Sequence, residues 1–410
     1  MSYLSDFKTQ TLLKKFSVLA IFVLFSSQAL AAETIKIGVL APFHAVAGEG
    51  QIEASKLAVE EINDRGGING KKIELILADT ELNAEKAIAA LNKLAVSDKV
   101  VAAAGIYSSG VTAAIQPYLS RFKLPFIGTA SASPSLTENV SKDYEKFKYY
   151  FRLMNHAHRE NAFVLSFVED VIVKDHGIKK FAIISEQAKW AEDFIPWMEK
   201  RLKDRGLEVV YTTYFDIHTK DYSPIFNRIK SSGAEFIISN IAIAPGEAIS
   251  KAWHEAKSAP MGGANVSAMR SDYWEKTQGQ CLTESTYILG GFDIPISAKT
   301  QPFWKKYKER YGRTPEYAAF YTYDAIYILA DSIGRATSLK GEDIVKAIET
   351  VKIIGATGLI EWDKSHDPIE GEGRPKPYML QWQEQGTPKI IYPKDISTGN
   401  FIFPSWFERK

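Results

Sequence analysis

Ile35-Lys36-Ile37-Gly38-Val39-Leu40-Ala41-Pro42 is an apolar run closed by a proline, the mark of a short buried strand. Helical spacing follows at once. Ala54, Leu57, Ala58 and Ile62 recur every three or four residues, and Gly66-Gly67 stops that helix. Working outward, residues 73–78 read as a strand, 84–96 as a helix, and 100–104 as a third strand. Gly105 breaks out of that strand into a helix from about Val111, and Leu124-Pro125-Phe126-Ile127 reads as a fourth strand. Strands separated by helical patterns imply βαβ units and a parallel sheet covered on both faces. The rhythm restarts near Lys148-Tyr149-Tyr150-Phe151-Arg152: strand 181–184, helix 191–206, strand 207–214, helix 222–232, strand 235–239. The expected fold class is therefore α/β in two lobes, with a cleft between the carboxyl ends of two sheets, where ligands sit.

Composition narrows the function classes. The chain has 410 residues, 45% hydrophobic and 24% charged, enough for two domains with real cores. Lys plus Arg number 50 against 49 Asp plus Glu, so there is no basic excess of the kind a nucleic-acid partner requires. The single cysteine, Cys281, excludes an internal disulfide and any multi-cysteine zinc site, and reads as a small buried hydrophobe. Residues 1–31 read as a secretory signal peptide. Lys8, Lys14 and Lys15 precede an apolar run over 16–25 that is too short to span a bilayer, and Ala29-Leu30-Ala31 offers a cleavage site. No cysteine follows that run, which excludes a lipoprotein anchor, and a periplasmic location is expected.

Most catalytic motifs fail on spacing. Gly48-Glu49-Gly50 lacks the third glycine of a dinucleotide fingerprint, since position 53 is Glu. Gly66-Gly67-Ile68-Asn69-Gly70-Lys71-Lys72 has the wrong spacing for a phosphate loop, and Lys72 stands where a hydroxyl is required. His254-Glu255 opens a zinc-protease pattern that Ser258 ends; His156 and His158 flank Ala157 as ordinary loop histidines. Tyr107-Ser108-Ser109-Gly110 lacks the spacing of a nucleophile elbow. It does put two hydroxyls and a glycine between a strand and a helix, where free N–H groups make a carboxylate seat; simple serine capping is the alternative.

The order of these pieces resembles the type I periplasmic binding proteins, specifically the leucine/isoleucine/valine-binding receptors of ABC importers. The carriers run from about Thr34 to about Pro393. They are the opening strand, Ala58-Val59-Glu60-Glu61-Ile62-Asn63, Gly66-Gly67-Ile68-Asn69-Gly70, Gly105-Ile106-Tyr107-Ser108-Ser109-Gly110 and Leu124-Pro125-Phe126-Ile127. Later come Ser133-Pro134-Ser135-Leu136-Thr137, Tyr311-Gly312-Arg313-Thr314-Pro315, Tyr323-Asp324-Ala325 and Gly355-Ala356-Thr357-Gly358. The resemblance implies two Rossmann-like lobes with parallel sheets, joined by a three-crossing hinge near Phe151, Gly290 and Gly355. Lobe 1 is expected over 33–151 plus 290–354, and lobe 2 over 152–289 plus 355–400. It also implies a solute receptor that closes by hinge motion, with a membrane permease as partner and neither catalysis, metal nor cofactor; a monomer is expected.

Carried over residue by residue, the family's carboxylate seat falls on Ser109 beside Ser108. Its second contact segment falls on Thr129, Ala130, Ser131 and Ala132. The threonine that often binds the amino acid falls at Ala132, with Ser131 or Ser133 as substitutes. An aromatic after the first strand of the second lobe falls on Trp190. The carboxylate that meets a ligand ammonium aligns to Ala264, beside Asn265, which does not neutralise charge. His44 and Tyr107 are placed to meet a ligand, and Tyr317 and Tyr321 are weaker candidates. The expected ligand is an aromatic or aliphatic compound with a carboxylate or amide head and no α-amino group. The rival readings are a branched-chain amino acid receptor, a sensor feeding a signalling partner, and an exported serine hydrolase.

Overall fold

The computed structural model describes residues 33–290, 293–383 and 386–408. The expected leader over 1–31 lies outside the described residues. Among those described, no helix is long and apolar enough to cross a membrane.

Five strands form the first sheet, in the order β2-β1-β3-β4-β5: β1 (Ile35–Ala41), β2 (Ile73–Asp79), β3 (Ala102–Gly105), β4 (Phe126–Gly128) and β5 (Tyr150–Arg152). Every pairing in it is parallel, with Ile37 beside Ile73's neighbour Leu75 on one side and Ala102 on the other. The Ala102-Ala103-Ala104 run keeps the central strand slim, so the flanking helices close on it. The helix Val46–Asp64 buries Ala54, Leu57 and Ala58 and packs on the helix Tyr317–Arg335, which arrives from late in the chain.

Seven strands form the second sheet, in the order β14-β13-β10-β9-β8-β6-β7. They are β6 (Lys180–Glu186), β7 (Glu208–Phe215), β8 (Phe236–Ile241), β9 (Met261–Asn265), β10 (Ser285–Ile288), β13 (Tyr378–Trp382) and β14 (Pro388–Tyr392). It is mixed, which corrects the expectation of two parallel sheets. β10 meets β13 antiparallel, and β13 meets β14 antiparallel. Only a few residues join β13 to β14, and a short connection cannot carry the chain back for a parallel pairing. A separate hairpin of β11 (Ile353–Gly355) and β12 (Gly358–Ile360) lies apart from both sheets.

The chain leaves one sheet's layer for the other three times: after β5, after β10, and after the helix Gly341–Glu349. Asp324 holds the third passage, accepting from the N–H groups of Ala356 (2.6 Å) and Thr357 (2.9 Å) and from the Thr357 hydroxyl (2.7 Å). Arg152 braces the first, donating to Asp367 (2.7 Å), the Ser133 carbonyl (2.7 Å) and Thr137 Oγ1 (2.5 Å). The helix read over 191–206 begins only at Phe194, after a single 3₁₀ turn Lys189–Ala191. Pro196 is the reason: proline is tolerated in the first turn of a helix and not deeper.

Candidate functional site

Gly105, at the end of β3, has φ +117, and a side chain there would collide with the Leu40 carbonyl. Ile106 follows with φ +59, a left-handed conformation rare for a β-branched residue, held by its N–H bond to Leu40 O (2.7 Å). This strained corner throws Tyr107-Ser108 out of the sheet and into the helix Ser109–Phe122. Ser108 occupies the N-cap position but makes no capping bond with its side chain. The corner thus keeps a free hydroxyl beside N–H groups at a positive helix end, the requirement for holding a carboxylate. Ser109 Oγ accepts from the Ser133 N–H (3.1 Å), which ties the corner to the loop after β4.

Tyr107, Ser108, Ser109, Ala130 and Ala132 supply the first-sheet wall of a narrow cavity, joined by Tyr317 from the helix Tyr317–Arg335. Across it stand Met154, Glu160, Trp190, Ala242, Ile243, Val266, Met269, Tyr287 and Leu289. The cleft is drawn shut: Tyr107 Oη donates to the Ala242 carbonyl at 2.8 Å, and Arg270 reaches Glu49 at 3.5 Å.

The facing wall hangs on one buried anion. Glu186, last residue of β6, accepts from the N–H groups of Ala242 (2.9 Å), Ile243 (2.8 Å) and Ala244 (2.9 Å) and from Trp190 Nε1 (2.7 Å). Burial raises its pKa, and these four donors pull it back down. A second buried carboxylate, Glu160, lines the cavity itself. Its Oε2 accepts from the Tyr287 hydroxyl at 2.6 Å, while Oε1 has no hydrogen-bond partner among the described residues. Burial pushes the Glu160 carboxyl up to about 7.

Of the residues read from sequence, Tyr107, Ser108, Ser109, Ala130 and Trp190 come together on this cavity, as does Tyr317. Ala132 lines it as well, while Thr129, Ser131, Asn265, His44 and Tyr321 do not. Thr129 accepts from Gln51 Nε2 and from the Thr322 hydroxyl, each at 2.9 Å, and so knits helices behind the wall. Ser131 bonds Thr112 Oγ1 at 2.6 Å beneath the strained corner. Asn265 donates to the Tyr273 hydroxyl (2.9 Å) and to Glu284 (2.7 Å) inside the second lobe. His44 lies exposed in the turn after β1. Tyr321 is buried within its helix. The expectation of a cavity without a carboxylate is also corrected: Ala264 is buried in β9, but Glu160 enters from the helix Ala157–Phe167. Glu160 was missed because it sits in a helix start with no motif around it. Its one signal is an acid in a stretch whose other charged neighbours face outward.

Cys281 is buried against Ala268, Tyr273 and Trp382, and burial pushes its thiol up to about 12, so it serves as core. Among the described residues, no group of three or more His, Cys, Asp or Glu is placed to hold a metal.

Two α/β layers closing over a narrow, mostly apolar cavity make an enclosure for a small solute. The family model described as "Periplasmic binding protein" matches residues 34–387, and the chain belongs to that family. It is 22% identical to the Leu/Ile/Val-binding protein homolog 7 of Brucella melitensis, covering 95% of this chain and 99% of that one. Among solved structures, the branched-chain amino acid transporter substrate binding protein LivJ of Streptococcus pneumoniae, in complex with isoleucine, superposes with a TM-score of 0.75. It is 20% identical, and the match covers 91% of this chain and 100% of that one. A solute binding protein of an ABC transporter from Rhodopseudomonas palustris, in complex with 3,4-dihydroxy benzoic acid, gives 0.72 at 22% identity, over 85% and 93% of the two chains.

Proposed function

We propose that this chain is the extracytoplasmic receptor of an ABC importer for a small carboxylic acid with an apolar or aromatic body. The leader over 1–31 directs it out of the cytoplasm, and a membrane permease reads its closed form. Lobe 1 comprises 33–151 plus 290–354, and lobe 2 comprises 152–289 plus 355–400. The observation that carries the ligand class is the uncapped Ser108 hydroxyl beside the N-terminus of the helix Ser109–Phe122, opening on a cavity lined by Met154, Trp190, Met269 and Leu289. The acid docks on this corner, and the wall carried by Glu186 swings over it. Contacts made only in the closed state, such as Tyr107 to Ala242, draw the population toward closure.

A second reading, an α-amino acid ligand, is favoured by the Glu160 carboxylate in the cavity, which gives an ammonium a counter-charge. A thermal-shift panel of amino acids, aromatic and aliphatic acids and small amides separates the two. A ligand at a hundred times its Kd adds about 2.7 kcal/mol of stability. Shifts with amine-free acids and none with leucine or valine support the first reading; shifts with leucine or valine alone overturn it.

A further inference from the structure

Glu160 is the one ionisable side chain of the cavity lining that no capping, hinge or wall contact absorbs. It is fully buried, one oxygen takes the Tyr287 hydroxyl, and the other has no hydrogen-bond partner among the described residues. A buried acceptor left this way costs free energy that a ligand donor recovers.

Its position relative to the carboxylate corner limits what that donor can be. Ser133 N–H bonds Ser109 on one side of the loop after β4, and Ala132 O accepts from Ala157 N–H (2.8 Å) on the other. Ser109 and the start of Glu160's helix therefore flank this loop, with the methyl groups of Ala130 and Ala132 between them on the cavity wall. A ligand that reaches both groups carries its carboxylate at one end and its donor at the other, with an apolar body along the two methyl groups.

We propose that Glu160 is a specificity-determining residue, accepting a hydrogen bond from a hydroxyl on an aromatic carboxylic acid at the end remote from the carboxylate. The surroundings suit a ring: Trp190 and Tyr317 present aromatic surface, and Met154 and Met269 present thioethers that pack on ring edges. With its carboxyl pushed up to about 7, Glu160 is no fixed anion that requires a cation. This inference rests on the acid-receptor reading above.

The test is calorimetric titration at neutral pH of the wild type, Glu160→Gln and Tyr287→Phe with benzoate, para-hydroxybenzoate, para-aminomethylbenzoate and leucine. Wild type is expected to bind para-hydroxybenzoate about tenfold or more tighter than benzoate, the worth of pairing a buried acceptor otherwise left unsatisfied. In Glu160→Gln that preference collapses while benzoate affinity holds, and Tyr287→Phe weakens it. Where Glu160→Gln does not fold, Glu160→Asp, which withdraws the acceptor by one methylene, must reduce the same ratio. Equal binding of benzoate and para-hydroxybenzoate, or a preference that survives Glu160→Gln, overturns the Glu160 assignment alone. Preference for the aminomethyl compound overturns it too, by making Glu160 a cation site. Binding of leucine with no response to any of the three benzoates overturns the acid-receptor reading and this inference together.

Discussion

The two walls of the cavity are built on different principles. On the first-sheet side the cavity wall is organised by backbone geometry: a strained corner at Gly105-Ile106, a helix N-terminus, and two consecutive serines. On the second lobe it is apolar side chains and peptide groups fastened to a single buried anion, Glu186. A wall made of local backbone geometry loses little when one side chain is trimmed. A wall hung on one carboxylate loses its shape when that carboxylate goes.

Glu186→Ala breaks the comparison hardest. It strands the N–H groups of half-buried Ala242 and Ile243 and of buried Ala244, with the Trp190 indole donor, and we expect a stability loss of roughly 2–4 kcal/mol in urea unfolding, with ligand binding lost. A loss below about 1 kcal/mol would show that the second wall stands without its anchor.

The next effect is of pH. Glu160 titrates near 4.5 when unfolded and near 7 when folded, so the folded state holds the extra proton between those values. Its contribution is complete below the unfolded pKa and is lost as pH rises through 7, on the order of 3 kcal/mol over the window. Melting temperature against pH should fall over that range in the wild type and fall less steeply in Glu160→Gln, where the buried Glu284, Asp324 and Glu316, raised in the same direction, still contribute; an unchanged slope would refute the shift.

Ser108→Ala sharpens the contrast. Its hydroxyl caps nothing, so stability should stay within about 0.5 kcal/mol while affinity for the bound acid falls about tenfold. A variant that melts early would mean the serine is a cap after all. Smallest is Tyr107→Phe, which deletes one bond across the cleft. A threefold to tenfold loss of affinity is expected, about 0.5–1.5 kcal/mol, with solution scattering of the liganded protein moving toward the open form.

The same contrast explains what was legible in the sequence. The first wall was readable because its parts are consecutive: Tyr107-Ser108-Ser109-Gly110 follows a strand and precedes a helix, and position alone gives it a role. The second wall was readable only at Trp190. Ala242, Ile243, Val266 and Met269 look like any core residues, and Glu186 is one acid among many until its donors are seen. Thr129, Ser131 and Asn265 had the right chemistry in the right segments, but the Thr129 and Ser131 hydroxyls and the Asn265 NH2 bond to other elements of the fold instead of facing the cavity. The antiparallel edge of the second sheet went unread because β13 and β14 lie far beyond the strands they complete.

That late return of the chain governs how the molecule assembles. All strands of the first sheet are made by residue 152, yet the helix that covers it, Tyr317–Arg335, is encoded behind five strands of the other sheet. The second sheet in turn waits for residues 378–392. Neither half can be finished before nearly the whole polypeptide is present, and many contacts join residues hundreds of positions apart, which slows folding. A fragment cut after β10 would be two open sheets with bare apolar faces. Completing either layer therefore requires chain from both sides of the other.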